Sequence, residues 1–323
     1  MKRRTALQML AAGGLAPFAP VHARTDDGKP LNLIVGFAPG SVPDIVARVV
    51  GKHLSESLHR PAIVENRGGV GGQLALSALK QAPDNVSALA LTPLAALTLY
   101  PQTYASLPYD VAKELVPVCS VFAIDFALAV AADHPAQTLQ EFVAWCKANP
   151  EKASIGNPGS GSSPHFVAWA FDAEAGLKAQ HVPYRSPPQI ANEVVGGTLA
   201  AGMASVPLFA ELIKGGRLRV LATSGSERNT FYPQIPTFVE AGFPSVVGRE
   251  WFCLVAPAGT PSATIANVTA AMRDMEKSEE AKATLALLGF TLEVHDAAWV
   301  SERMRQETQY WRGIVERTGF KAL

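Results

Sequence analysis

Two short loops carry the residue types that suit an anion. The first is Phe37-Ala38-Pro39-Gly40-Ser41-Val42-Pro43-Asp44, and the second is Asn157-Pro158-Gly159-Ser160-Gly161-Ser162-Ser163-Pro164-His165. Each stands between an apolar run and a segment of helical periodicity, so each reads as a strand-to-helix turn. There, backbone N–H groups and the positive helix end favour a negative ligand. In the first loop Ser41, with Asp44 three residues on, has the form of a capping box. In the second, Gly159 and Gly161 allow close backbone approach, and Ser160, Ser162 and Ser163 offer hydroxyls. His165 falls in the first helical turn, where the helix end favours neutral imidazole. The same residues would also make two well-capped helices with no ligand, Ser162 or Ser163 serving as the second cap.

Other readings of these residues fare worse. Ser162 and His165 invite comparison with a nucleophile and its base. They lie three apart at a helix start, however, with no carboxylate placed to orient the imidazole. Gly159-Ser160-Gly161 lacks the spacing of a nucleophile elbow. The run Glu65-Asn66-Arg67-Gly68-Gly69-Val70-Gly71-Gly72 implies a close backbone path, but matches neither a phosphate loop nor a dinucleotide fingerprint. Thr92-Pro93 suits a helix cap followed by a first-turn proline. Arg185, Arg249 and Glu250 are charged residues with ambiguous roles, the last two near a chain crossing.

The elements that must position these loops alternate. Strand-like runs at 31–37, 62–65, 88–91, 126–131, 154–156, 181–183, 200–204, 218–222 and 251–256 are interspersed with helical patterns at 45–58, 71–79, 139–148, 166–175 and 190–195. Such alternation implies an α/β fold of mostly parallel sheet flanked by helices. The end of the chain reads as helices over 265–278, 280–288 and 298–318. The order implies two similar lobes, one of residues 24–125 plus 249–323 and one of 126–248. A ligand gripped between loops from both lobes would stabilise a hinge-closed state.

Composition narrows the class. Of 323 residues, 48% are hydrophobic and 17% charged, which supports a large core and excludes disorder. Lys+Arg and Asp+Glu both number 28, so no basic excess points to nucleic acid. Lys2-Arg3-Arg4, the apolar stretch Ala6 to Pro20 and Val21-His22-Ala23 read as a signal peptide over residues 1–23. Arg3-Arg4 with Leu7 resembles a twin-arginine signal, although an ordinary secretory signal fits as well. Cleavage would leave a formal net charge of −3. Cys119, Cys146 and Cys253 sit in apolar contexts as small hydrophobes, with no metal-site spacing.

Taken together, several stretches resemble the periplasmic solute-binding receptors of tripartite tricarboxylate transporters, the TctC/Bug type. They are Ile34 to Asp44, Glu65 to Gly72, Leu107-Pro108-Tyr109-Asp110, Gly159 to His165, His181-Val182-Pro183-Tyr184, Pro236-Thr237 with Glu240-Ala241-Gly242, and Pro257-Ala258-Gly259-Thr260-Pro261. The resemblance implies a two-lobed type II periplasmic-binding-protein fold, no enzyme activity and no cofactor. It implies a small carboxylate ligand and a monomer that serves large and small permease subunits, or alternatively a membrane sensor kinase. Carried over, the ligand-binding residues are Phe37, Ala38, Gly40, Ser41, Val42, Thr92, Ser160, Gly161, Ser162, His165, Tyr184 and Ala204. Ser41 and Pro43 depart from the family's first loop. Ala204 stands where the family often has an acid, which implies a ligand without an ammonium group.

Overall fold

The computed structural model describes residues 29–82, 86–184 and 187–320. The signal-peptide reading and Arg185 lie outside these residues. Strands β1 (Leu31–Val35), β2 (Ala62–Asn66) and β3 (Ala88–Pro93) form a parallel group with β1 in the middle. Helix α1 (Val42–Ser57) follows β1, and α2 (Gln73–Leu79) follows β2 after a single 3-10 turn. The short helices α3 (Ala95–Thr98), α4 (Tyr100–Thr103) and α5 (Val111–Glu114) follow β3.

Strand β4 (Leu115–Ala131) is 17 residues long and belongs to both halves of the sheet. Its residues Leu115 to Asp125 pair antiparallel with β9 (Arg249–Pro257), which itself pairs with β3. From Phe126 onward it pairs instead with β7 (Ala201–Ser205) and β8 (Leu218–Thr223). The second half is completed by α6 (Leu139–Ala148), β5 (Ser154–Asn157), α7 (Ser163–Ala175), β6 (Gln180–Pro183), α8 (Pro187–Val195) and α9 (Val206–Lys214). There β5 runs parallel to β6 and β7. Each half thus keeps a parallel group, β2-β1-β3 or β6-β5-β7, and β4 and β9 run antiparallel to their neighbours between them.

The chain ends with α10 (Ser262–Met275), α11 (Glu279–Leu287) and α12 (Ala297–Thr318). Helix α12 packs on β4, α3, α4 and α7, so it contacts elements of both halves. One apolar cluster reflects this, running from Ile34 and Leu94 through Phe166 and Phe171 to Trp311. Two further clusters lie with β1, α1 and α10 on one side, and with α8 and α9 on the other. No helix among the described residues is long and apolar enough to cross a membrane. Cys119, Cys146 and Cys253 are buried free thiols, and burial pushes Cys119 and Cys146 up to about 12.

Candidate functional site

The first loop leaves β1 at Val35 and enters α1 at Val42. Its shape is held by Asp44, which is 2% exposed. Asp44 Oδ2 accepts from the Gly40 N–H at 2.8 Å and from Arg48 Nε at 3.1 Å. Its Oδ1 accepts from Arg48 Nη2 at 3.0 Å and from Asn66 Nδ2 at 2.8 Å. Asn66 Nδ2 also donates to the Phe37 carbonyl. Burial pushes the Asp44 carboxyl up, but the Arg48, Gly40 and Asn66 bonds outweigh it and hold the group below its usual range. Asp44 therefore braces the loop through Gly40 and Arg48, each four positions away, and Asn66, 22 positions away.

Ser41 is extended and starts α1, yet its hydroxyl caps nothing. The capping-box expectation is corrected here, because the Asp44 side chain serves the Gly40 N–H instead. Ser41 Oγ is a buried polar atom with no partner among the described residues. The N–H groups of Gly40 and Ser41 are both engaged inside the loop, the latter by the Ala38 carbonyl at 3.1 Å. Ala38, Pro39 and Gly40 are exposed, and Phe37 packs half-buried on Phe252. Val42 joins the apolar cluster behind the loop.

The glycine run after β2 lies directly against this loop. A Cβ at Gly68 would sit 3.4 Å from the Ala38 nitrogen, and one at Gly36 only 2.3 Å from the Gly72 Cα. Gly72 in turn lies beside Thr92 Oγ1. Thr92 is not a helix cap. It sits within β3 opposite Cys253, and α3 begins only at Ala95 with Leu94 before it. Thr92 Oγ1, 1% exposed, makes no hydrogen bond among the described residues, and Gln73 Nε2 is in the same condition. Gln73 and the glycine run are not among the residues that the sequence marks as ligand-binding.

The second loop joins β5 to α7. Ser162 is the cap of α7: its Oγ accepts from the His165 N–H at 3.4 Å and donates to the Gly159 carbonyl at 2.7 Å. The Gly161 N–H donates to His165 Nδ1 at 3.1 Å. Burial, helped by His181 with its ring 5.6 Å away, lowers the His165 pKa to about 4. The imidazole is neutral, as expected, but chiefly through burial. Ser162, Gly161 and His165 thus hold one another. No Ser–His pair of the nucleophile–base kind forms. Ser160 is half-buried. Asn157, wholly buried at the end of β5, has both side-chain polar atoms unpartnered.

Tyr184 follows β6 and lies against Gly156, packed on the apolar cluster of α8 and α9. Ala204 is 1% exposed in that same cluster, one residue before the end of β7. The structure therefore gathers Phe37, Ala38, Gly40, Ser41, Val42 and Thr92 at the carboxyl ends of the neighbouring strands β1 and β3. It places Ser160, Gly161, Ser162 and His165, with Tyr184 and Ala204, at the carboxyl ends of β5, β6 and β7. Arg249 is not free for a ligand. It bonds Asp125 and Glu293 at 2.8 Å each and lies over Trp251. Glu250 is the residue whose role sequence reasoning missed. Its carboxyl joins Ala95 of α3 and Ser163 of α7, and those partners are too distant in sequence to signal it.

This arrangement of two sheet halves joined by crossing strands, with one of the two loops at the strand ends of each half, defines a periplasmic-binding-protein architecture. A model of the tripartite tricarboxylate transporter family receptor (TctC) matches residues 46–320, and the chain belongs to that family of receptors rather than to an enzyme family. It is 32% identical to Protein BugT of Bordetella pertussis over 97% of this chain and 95% of that one. It is 30% identical to the UPF0065 protein in the gbd 5′ region of Cupriavidus necator over 96% and 94%. Among solved structures, one described as a periplasmic transporter superposes with a TM-score of 0.79 at 28% identity, covering 90% of this chain and 98% of that one. An R. palustris protein with adipate gives 0.81 at 21% identity over 91% and 98%. MatC from Rhodopseudomonas palustris with bound malate gives 0.76 at 22% identity over 88% and 98%.

Proposed function

We propose that the protein captures a small carboxylate in a cleft between lobes of residues 24–125 with 249–323 and residues 126–248. On this reading residues 1–23 export it to the periplasm, where it acts as a monomer serving the large and small membrane subunits of a transporter. The observation that carries the reading is the match to the tripartite tricarboxylate receptor family over residues 46–320, and the buried Ser41 Oγ, Thr92 Oγ1 and Asn157 amide at the strand ends of the two halves agree with it. Buried groups of this kind are normally satisfied, by a ligand or water where protein does not serve. The adipate and malate held by two proteins of this fold support the same ligand class.

A thermal-shift screen of the mature protein against mono-, di-, tri- and aromatic carboxylates tests it. A true ligand at a hundred times its Kd adds about 2.7 kcal/mol of apparent stability, and a flat response to all four classes would sink the reading.

The ligand carries no ammonium group. Ala204 offers a methyl within an apolar cluster, where an acid would be needed to answer a ligand amine. Calorimetry should show malate binding at least as tightly as aspartate, and a marked preference for aspartate would refute the claim.

A further inference from the structure

Glu250 is the second residue of β9 and reaches both halves of the molecule. Its Oε1 accepts from the Ala95 N–H, at the first residue of α3, at 3.2 Å. Its Oε2 lies 2.5 Å from Ser163 Oγ, at the first residue of α7. The group is closely surrounded. Glu307 of α12, 6% exposed and bonded to Arg303 at 2.8 Å, faces it. Tyr100 of α4 and Cys253 of β9, both buried, also sense its charge. The adjacent Arg249 is engaged by Asp125 and Glu293.

We propose that Glu250 is a positioning residue that ties the start of α3 in one half to the start of α7 in the other, and that capture of an anionic ligand between the halves depends on this tie. The geometry explains how. Ser163 Oγ donates to Oε2 in the structure; a neutral Glu250 can instead turn its own proton toward that hydroxyl, which leaves the serine hydrogen for another acceptor, such as a ligand oxygen. An ionised Glu250 takes that hydrogen for itself and sets a negative charge between the two helix starts. Both changes disfavour a second carboxylate nearby. Burial, with Glu307 adding to it, raises the group to about 8 against the bonds from Ser163 and Ala95. The ligand part of this inference rests on the carboxylate reading above.

The test compares wild type with Glu250→Gln in two arms. Without ligand, the wild-type advantage in thermal unfolding should shrink between about pH 5 and pH 8 and level off above, because the folded carboxyl holds a proton that the unfolded one has lost. With adipate and malate as probes, calorimetry should show wild-type affinity falling roughly ten-fold between pH 6.5 and pH 9, while Glu250→Gln shows a flattened profile. Parallel pH profiles in the ligand-free arm would overturn the inference. If neither probe binds at pH 6.5, the carboxylate reading suffers and the ligand-free arm alone decides on Glu250. Should Glu250→Gln not fold, Ser163→Ala serves. Losing the bond that favours the ionised form should move the pH break upward, and an unmoved break would count against the proposal.

Discussion

Gly36→Ala lowers stability by about 3 kcal/mol, at the top of the usual range for overpacking, and abolishes any ligand-induced thermal shift. The added methyl would lie 2.3 Å from the Gly72 Cα and 3.2 Å from the Gly72 carbonyl carbon. Both neighbours are backbone, so no rotamer change relieves the clash. Either β1 or the glycine run must move, and the run is what the first loop rests on. Gly40→Ala provides the control. Gly40 has φ +78° but nothing within 4 Å of its Cβ direction, so only the left-handed backbone is penalised, by about 1 kcal/mol. Chemical denaturation of the two variants checks the ranking. Equal losses would show that backbone conformation, not the Gly36–Gly72 approach, governs this region.

The alternation of strands and helices was legible because most elements are short and lie between glycine or proline turns. Helix α6 carries a complete capping box of Thr138 and Glu141 within its own sequence, and α12 has a long periodic face. Strand β4 was legible only from Phe126. Its earlier residues shift register between Pro117 and Cys119 and again between Ser120 and Phe122, and such irregularities erase the two-residue period that marks a strand. Helix α9 was missed because it starts immediately after β7, leaving no loop to announce it.

The site was legible to the extent that its chemistry is local. The two loops stand out by composition, and Ser162 caps α7 from within the loop itself. What failed was competition from residues distant in sequence. The spacing of Ser41 and Asp44 satisfies the capping pattern, yet Asn66, 22 residues away, draws the Asp44 carboxylate elsewhere. Glu250 finds its partners 155 and 87 positions away, at Ala95 and Ser163. No local pattern contains such pairings. They arise only once β9 is laid between β3 and β4.

Asp44→Ala should cost about 2–3 kcal/mol, the range for removing a buried acceptor with charged and backbone donors, and should weaken carboxylate binding more than ten-fold. The side chain serves three residues at once, so its loss leaves the Gly40 N–H without its acceptor and frees Arg48 and Asn66. Arg48 is about half exposed and can turn to water, so most of the loss comes from the loop rather than from the ion pair. Because the folded carboxyl titrates below its usual 3.8, its contribution is fully present above that value and disappears as pH falls through the lower, folded value. The stability gap between wild type and Asp44→Ala should therefore be constant from pH 5 to pH 8 and narrow only below about pH 4. Asp44→Asn separates charge from shape. One amide oxygen can serve Gly40 or Asn66 but cannot match the bidentate pairing with Arg48, so it should fall between wild type and alanine in both stability and affinity. If asparagine binds as well as wild type, the loop depends on the shape of residue 44 and not on its charge.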